Sequence, residues 1–174
     1  MGSNEKRRRM LRRQAIIVAI VAAAVLYVAA NYSRWQAATN LINVRFESPD
    51  GRVLGKFRLE VANDRASVRK GLMFRKPGEV PEDGGMLFVF PDERIQYFYM
   101  KNTYIPLDMI FLNRDLKVVG VLHDVPINNT QKRSVNKPSQ YVVELLAGTA
   151  RKFDIKEGAR LVVENGSVPA ARMP

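Results

Sequence analysis

The chain has 174 residues, 47% of them hydrophobic and 26% charged, with a net charge of +11 and no cysteine. That composition excludes a wholly disordered chain. The missing cysteines exclude disulfides, thiolate nucleophiles, cysteine-ligated zinc and iron–sulfur clusters.

The charge excess is not spread evenly. Lys6, Arg7, Arg8, Arg9, Arg12 and Arg13 face only one acid, Glu5, in residues 1–14, so nearly half of the excess sits in this tail. An uninterrupted apolar run, AIIVAIVAAAVLYVAA, follows from Ala15 to Ala30. At 1.5 Å per residue it covers about 24 Å, and the uncharged Asn31 and Tyr32 extend it toward a hydrocarbon core of roughly 30 Å. Tyr27, Tyr32 and Trp35 supply interfacial rings, and Arg12 and Arg13 can extend their stems along the near side.

The chain therefore divides into a basic cytoplasmic tail (1–14), a transmembrane signal-anchor (15–32), a polar linker (33–40), a globular β-rich domain (41–165) and a loose tail (166–174). The positive-inside rule places the N-terminus in the cytoplasm. The domain is then on the periplasmic or extracellular side of the inner (cytoplasmic) membrane. Two other export readings compete: a signal cleaved after Val28-Ala29-Ala30, and a twin-arginine pattern at Arg7–Arg12. The length of the apolar run favours an anchor over cleavage, and all three readings put the domain in the same compartment.

From Leu41 the pattern turns to period two. Val44 and Phe46 alternate with polar neighbours, Ser48-Pro49-Asp50-Gly51 is a turn signal, and Phe57, Leu59 and Val61 alternate again, which predicts a hairpin. Asp64 is a candidate N-cap for a short helix to about Leu72. Gly71, Pro77, Gly78, Pro81 and Gly84 then break the chain into a long loop. The stretches 85–90, 97–100 and 106–112 lack alternation and predict central strands covered on both faces. Further strands are predicted at 116–125, 140–146 and 159–164, with an exposed loop at 126–139 and a helical turn near 149–153. The expected fold is mainly β (α+β): a compact, mostly antiparallel small barrel or sandwich with one or two short helices, behind one N-terminal transmembrane helix.

Within QYFYMKNTYIPLDMIFL (96–112), Lys101, Asn102, Thr103 and Asp108 interrupt apolar residues. Buried without partners, such groups cost roughly 2–7 kcal/mol each, so they are paired or face a cleft. If Tyr104 and Ile105 form a hairpin tip, Lys101 falls opposite Asp108. The pair then either fixes the hairpin or lines a binding cleft, where perturbed acids and bases concentrate.

The blocks KGLMFR (70–75), DGGMLFVF (83–90), YMKNTYIPLDMIFL (99–112), VVELLAG (142–148) and IKEGARLVV (155–163), in this order, resemble the family called domain of unknown function 192. The resemblance covers about residues 41–165. It implies a small β-rich, frequently exported domain and no established reaction. The motif positions it carries over are Gly71, Arg75, Gly85, Met86, Met100, Lys101, Asn102, Pro106 and Asp108. Tyr99 stands where the family motif often has Trp, an exchange of one large aromatic for another.

Met73, Met86, Met100, Met109 and His123 are soft-metal ligand types, but the methionines occupy core-like strand positions, so no metal or other cofactor is assigned. His123 and Asp124 are strand neighbours pointing to opposite faces and form no local dyad. Scattered basic pairs such as Arg69/Lys70 and Arg75/Lys76 suit a solvated face, anionic headgroups or an acidic partner. Topology and the absence of a recognition module speak against nucleic acid.

The leading expectation is a membrane-tethered envelope binding or accessory domain that contacts a protein partner or envelope component. Its candidate binding residues are Arg69, Arg75, Met100, Lys101, Asn102, Thr103 and Asp108. The alternatives are a small enzyme using Lys101 and Asp108 on an anionic or saccharide substrate, and a purely structural subunit of a membrane complex contacting through 126–139.

Overall fold

The computed structural model describes the backbone of residues 2–36 and 41–173, with side chains for 10–29 and 41–173. Helix α1 runs Gly2–Gln36 and contains one segment, Met10–Ala29, long and apolar enough to cross a membrane, with mean hydropathy 1.8. None of that segment is buried against the protein. The helix continues through the first half of the expected linker, and residues 37–40 lie outside the described residues.

The rest of the chain folds as seven strands around one mixed sheet: β1 (Leu41–Glu47), β2 (Val53–Ala62), β3 (Gly84–Ile95), β4 (Leu107–Leu112), β5 (Val118–Val125), β6 (Pro138–Leu146) and β7 (Arg160–Val163). Helix α2 (Arg65–Lys70) and helix α3 (Thr149–Lys152) are single turns or little more. Spatial order is β5-β4-β6-β3-β2-β1-β7, antiparallel at every junction except β2–β3, which is parallel. A parallel neighbour needs a crossover, and α2 with the loop 71–83 supplies it.

The sheet curls until its edges meet. Val118 N–H donates to the Ala159 carbonyl at 2.7 Å and Leu161 N–H to that of Leu116 at 2.9 Å, short of a closed ladder. That contact leaves little open edge on either side.

Each face of the sheet carries its own apolar cluster. Inside the curl lie Phe46, Leu59, Leu87, Val89, Ile110, Val143 and Leu145 among others. On the outer face, Met86, Phe88, Phe90, Leu107, Met109, Phe111 and Val142 pack beneath α2 and the loops. Burial on both faces explains why 85–90 and 107–112 show no alternation.

The hairpin expected at 97–112 does not form. Residues 97–100 make one isolated bridge, Phe98 to Arg133, and the segment 96–106 crosses the outer face as a loop. Phe74 N–H donates to the Asn102 carbonyl at 2.7 Å, Met100 N–H to Asn129 at 2.7 Å, and Asn128 N–H to Thr103 at 3.0 Å. With these bonds made to neighbouring loops, with Asn102 left-handed at φ 54 and with Pro106 lacking an N–H, no ladder onto β4 is available.

The Lys101–Asp108 pair is accordingly absent. Lys101 is exposed, whereas Asp108 is fully buried and faces the inner cluster. Its carboxylate accepts the N–H of Asp124 at 2.9 Å and that of Ala150 at 2.8 Å. The first lies in β5 where the β4–β5 register slips between Leu107 and Met109, a bulge that takes one N–H out of the ladder. Asp108 repairs that bulge and fastens α3 to it.

The tail expected to be loose is irregular but held: Asn63 Nδ2 donates to the Ala170 carbonyl at 2.8 Å, and Arg172 N–H donates to that of Asn63 at 2.6 Å.

Removing the Asp108 carboxylate strands two backbone donors. Asp108→Ala is expected to lower unfolding free energy by about 3 kcal/mol, whereas Lys101→Ala stays within about 0.5 kcal/mol of the parent. Urea titration of the two full-length variants followed by circular dichroism separates them, and comparable losses in both would reinstate a coupled pair.

Candidate functional site

Strand β6 runs between β3 and β4, and its period-two geometry sends Val143 and Leu145 inward and Val142 and Glu144 outward. Glu144 stands in register with Met86 on one side and Met109 on the other. It is 4% exposed, and its carboxyl has no hydrogen-bond or ion-pair partner among the described residues. The strands approach closely here because residue 85 is glycine: a Cβ at that position would lie 2.3 Å from the Glu144 carbonyl oxygen.

Above this carboxyl is a cleft of about 180 Å³ between α2 and the loop 96–106. Its walls include Phe88, Phe90, Phe98, Tyr97 and Tyr99, with Thr103 also lining it. Phe98 organises the aromatic wall, with its ring edge-to-face against Phe88 (5.0 Å), Phe111 (5.8 Å) and Phe90 (6.1 Å). Arg69 and Lys70, the last turn of α2, complete the lining. Asp64 caps the other end of that helix, accepting the Ala66 and Ser67 N–H groups at 2.8 and 3.0 Å.

Buried among apolar groups, the Glu144 carboxyl is pushed up to about 8 by desolvation, so at neutral pH it is predominantly a protonated acid able to donate a hydrogen bond.

Of the residues singled out in the sequence, the structure brings Arg69 and Thr103 together at this cleft. Met100 is buried in the outer cluster beside it, and Asn102 contributes the carbonyl that docks Phe74. Arg75 donates to Glu60 at 2.6 Å on the same face. Lys101 is apart from the cleft lining, and Asp108 is committed to backbone donors on the opposite face. Among the described residues Lys101 and Asp108 line no common cleft, so the Lys101–Asp108 catalytic arrangement has no geometric support there. Met86 and Met109 are core residues, and His123 is exposed on β5.

Sequence reasoning missed Glu144, Tyr97 and Tyr99. The available signal was one acid inside QYVVELL, a run otherwise apolar around it.

The family profile described as uncharacterised ACR, domain of unknown function 192, matches residues 46–163. The chain belongs to this family. Two crystal structures resemble this domain of unknown function 192 protein. One, from Sinorhizobium meliloti 1021, is named a candidate transcription regulator; it is 32% identical, with a TM-score of 0.67, over 71% of this chain and 93% of that one. The other, a protein of unknown function from Novosphingobium aromaticivorans DSM 12444, is 31% identical with a TM-score of 0.64, over 70% and 84% respectively. No curated protein matches the chain.

The lowered acidity of Glu144 sets a pH signature. Between its ordinary value of 4.5 and about 8 the folded chain keeps a proton that the unfolded chain releases. The group's contribution is therefore fully present below about pH 4.5 and is lost as pH rises to about 8. Glu144→Gln is expected to melt like the parent near pH 4.5 and several degrees above it at pH 9. Melting curves across that range check this, and a constant offset at every pH would mean that Glu144 is not held protonated.

Proposed function

We propose that this protein is a membrane-tethered binding domain of the cell envelope that holds a ligand, or a group presented by a partner, in the cleft over Glu144. The observation that carries this reading is a carboxyl 4% exposed, without a partner among the described residues, at an aromatic-lined cleft. Leaving such a group unsatisfied costs free energy that only a bound group or water can return. Apolar walls with few convergent polar groups are the usual make-up of a ligand site.

In this reading α1 anchors the chain with its basic end in the cytoplasm, following the positive-inside asymmetry, and the domain faces the other side. Phe74, Tyr97, Tyr99 and Tyr104 are 57, 59, 40 and 39% exposed on the loops 71–83 and 96–106. Exposed aromatics grouped in this way, with Arg69 and Lys70 nearby, suit contact with a protein partner at the membrane.

A second reading uses the same cleft. A carboxyl held near neutrality is suited to general acid–base catalysis, and turnover of the bound molecule would distinguish an enzyme from a binding domain.

A photo-reactive residue placed at Tyr97 or Phe74, in the native membrane, is expected to give one discrete cross-linked protein. The same residue in the 48–51 turn is expected to give none. Equal labelling from both places would show that the cleft region is not the contact surface.

A further inference from the structure

The cleft offers three chemistries at once: an unpartnered buried carboxyl, aromatic walls, and the two cationic side chains Arg69 and Lys70. Neither Arg69 nor Lys70 has an ion-pair partner among the described residues, whereas Arg75 nearby is engaged with Glu60. A simple anion would use the cations and leave Glu144 buried without a partner. A simple cation would use Glu144 and the ring faces but meet two like charges. A molecule bearing both charges uses all three.

Building on the cleft as the ligand site, we propose that it binds a small zwitterion whose primary ammonium reaches Glu144 and whose anionic group meets Arg69 and Lys70. The ammonium gains a charge-assisted hydrogen bond in a site shielded from water, and the rings supply cation–π attraction. The anionic end is held by exposed cations, where each contact is weaker and screened by salt. The cleft, about 180 Å³ and open to solvent on one side, has room for an amino acid or an aminoalkyl phosphate headgroup.

Binding then carries a proton signature. Glu144 is protonated at neutral pH because nothing beside it favours the charged form. An ammonium within hydrogen-bond reach favours that form, so the carboxyl ionises as the ligand enters and releases its proton to solvent. Affinity therefore rises with pH up to about 8. The other ionisable groups around the cleft are Arg69 and Lys70 from α2 and Tyr97 and Tyr99 from the loop. Strands β3 and β4 contribute only apolar side chains beside Glu144, and the Glu60–Arg75 pair lies beyond Met86.

The test is calorimetric titration of the full chain, in phosphatidylglycerol nanodiscs at pH 7, with phosphoethanolamine and with alanine. Each is run in two buffers of different ionisation enthalpy. Expected are saturable binding by at least one probe and release of close to one proton per ligand. Glu144→Gln is expected to weaken binding about tenfold or more and abolish proton release. Arg69→Ala is expected to weaken it about threefold with release unchanged. Preference for phosphoethanolamine points to a lipid headgroup as the source, and preference for alanine to a free amino acid.

N-acetylated probes binding as well as the parent probes, or binding without proton release, would overturn the zwitterion assignment. Mass spectrometry of protein taken from its own membrane separates the two levels of the proposal. A small molecule retained by the parent and lost in Glu144→Gln, with no zwitterion bound, would overturn the ligand class and keep the cleft. No zwitterion and no retained molecule would overturn both.

Discussion

The placement of β6 between β3 and β4 is the constraint on which the rest of the domain depends. Its ladder runs Gly85 to Leu145 and Met86 to Glu144 on one side, and Met109 to Glu144 and Ile110 to Val143 on the other. Because side chains alternate, a slip of one residue would turn Glu144 into the inner cluster and Val143 and Leu145 outward. Gly85 permits the close approach that this register needs. The same three strands form the floor of the cleft and the wall between the two apolar clusters, so core packing and site geometry have one origin.

Two carboxylates on neighbouring strands show how far environment decides role. Asp108 and Glu144 are both nearly inaccessible to solvent. Asp108 faces inward and accepts two backbone N–H groups, at 2.8 and 2.9 Å, which makes it a fastening between β5 and α3. Glu144 faces outward under aromatic rings with no such donors, so desolvation acts on it unopposed. A buried acid that is satisfied maintains a fold, whereas one left unsatisfied beside a cavity is available to a ligand.

The outer face is finished by irregular segments rather than by a second sheet. Loop 71–83, the 96–106 crossing and the 126–137 segment are joined by backbone bonds such as Phe74 to Asn102 and Phe98 to Arg133. These loops carry the aromatic residues over the cleft, where small changes of loop sequence can alter a site without disturbing the strands beneath. The 126–137 segment thereby supports the cleft wall through Asn128, Asn129 and Arg133.

Much of this molecule follows from local pattern. Alternation at 41–47 and 53–62, the Ser48–Gly51 turn, the Asp64 cap and the two-faced apolar runs at 85–90 and 107–112 are short-range signals, and each corresponds to the element found. The apolar stretch in α1 is equally a matter of composition. What tertiary structure alone decided is whatever depends on a distant partner. Residues 97–100 have strand-like composition but are drawn into a crossing loop by bonds to Asn129 and Arg133, 29 and 35 positions further along the chain. Asp108 could be recognised as a polar residue needing partners, but the partners, Asp124 and Ala150, are supplied by a bulge and a helix that no local pattern places beside it. Glu144 was one acid in an apolar strand, a signal with no meaning until the fold put Met86 and Met109 beside it and aromatic rings above it. Sequence by itself determined where strands and turns could form, because those preferences act over a few residues. Tertiary structure decided which polar groups were left without partners, because that is settled by contacts across the whole chain.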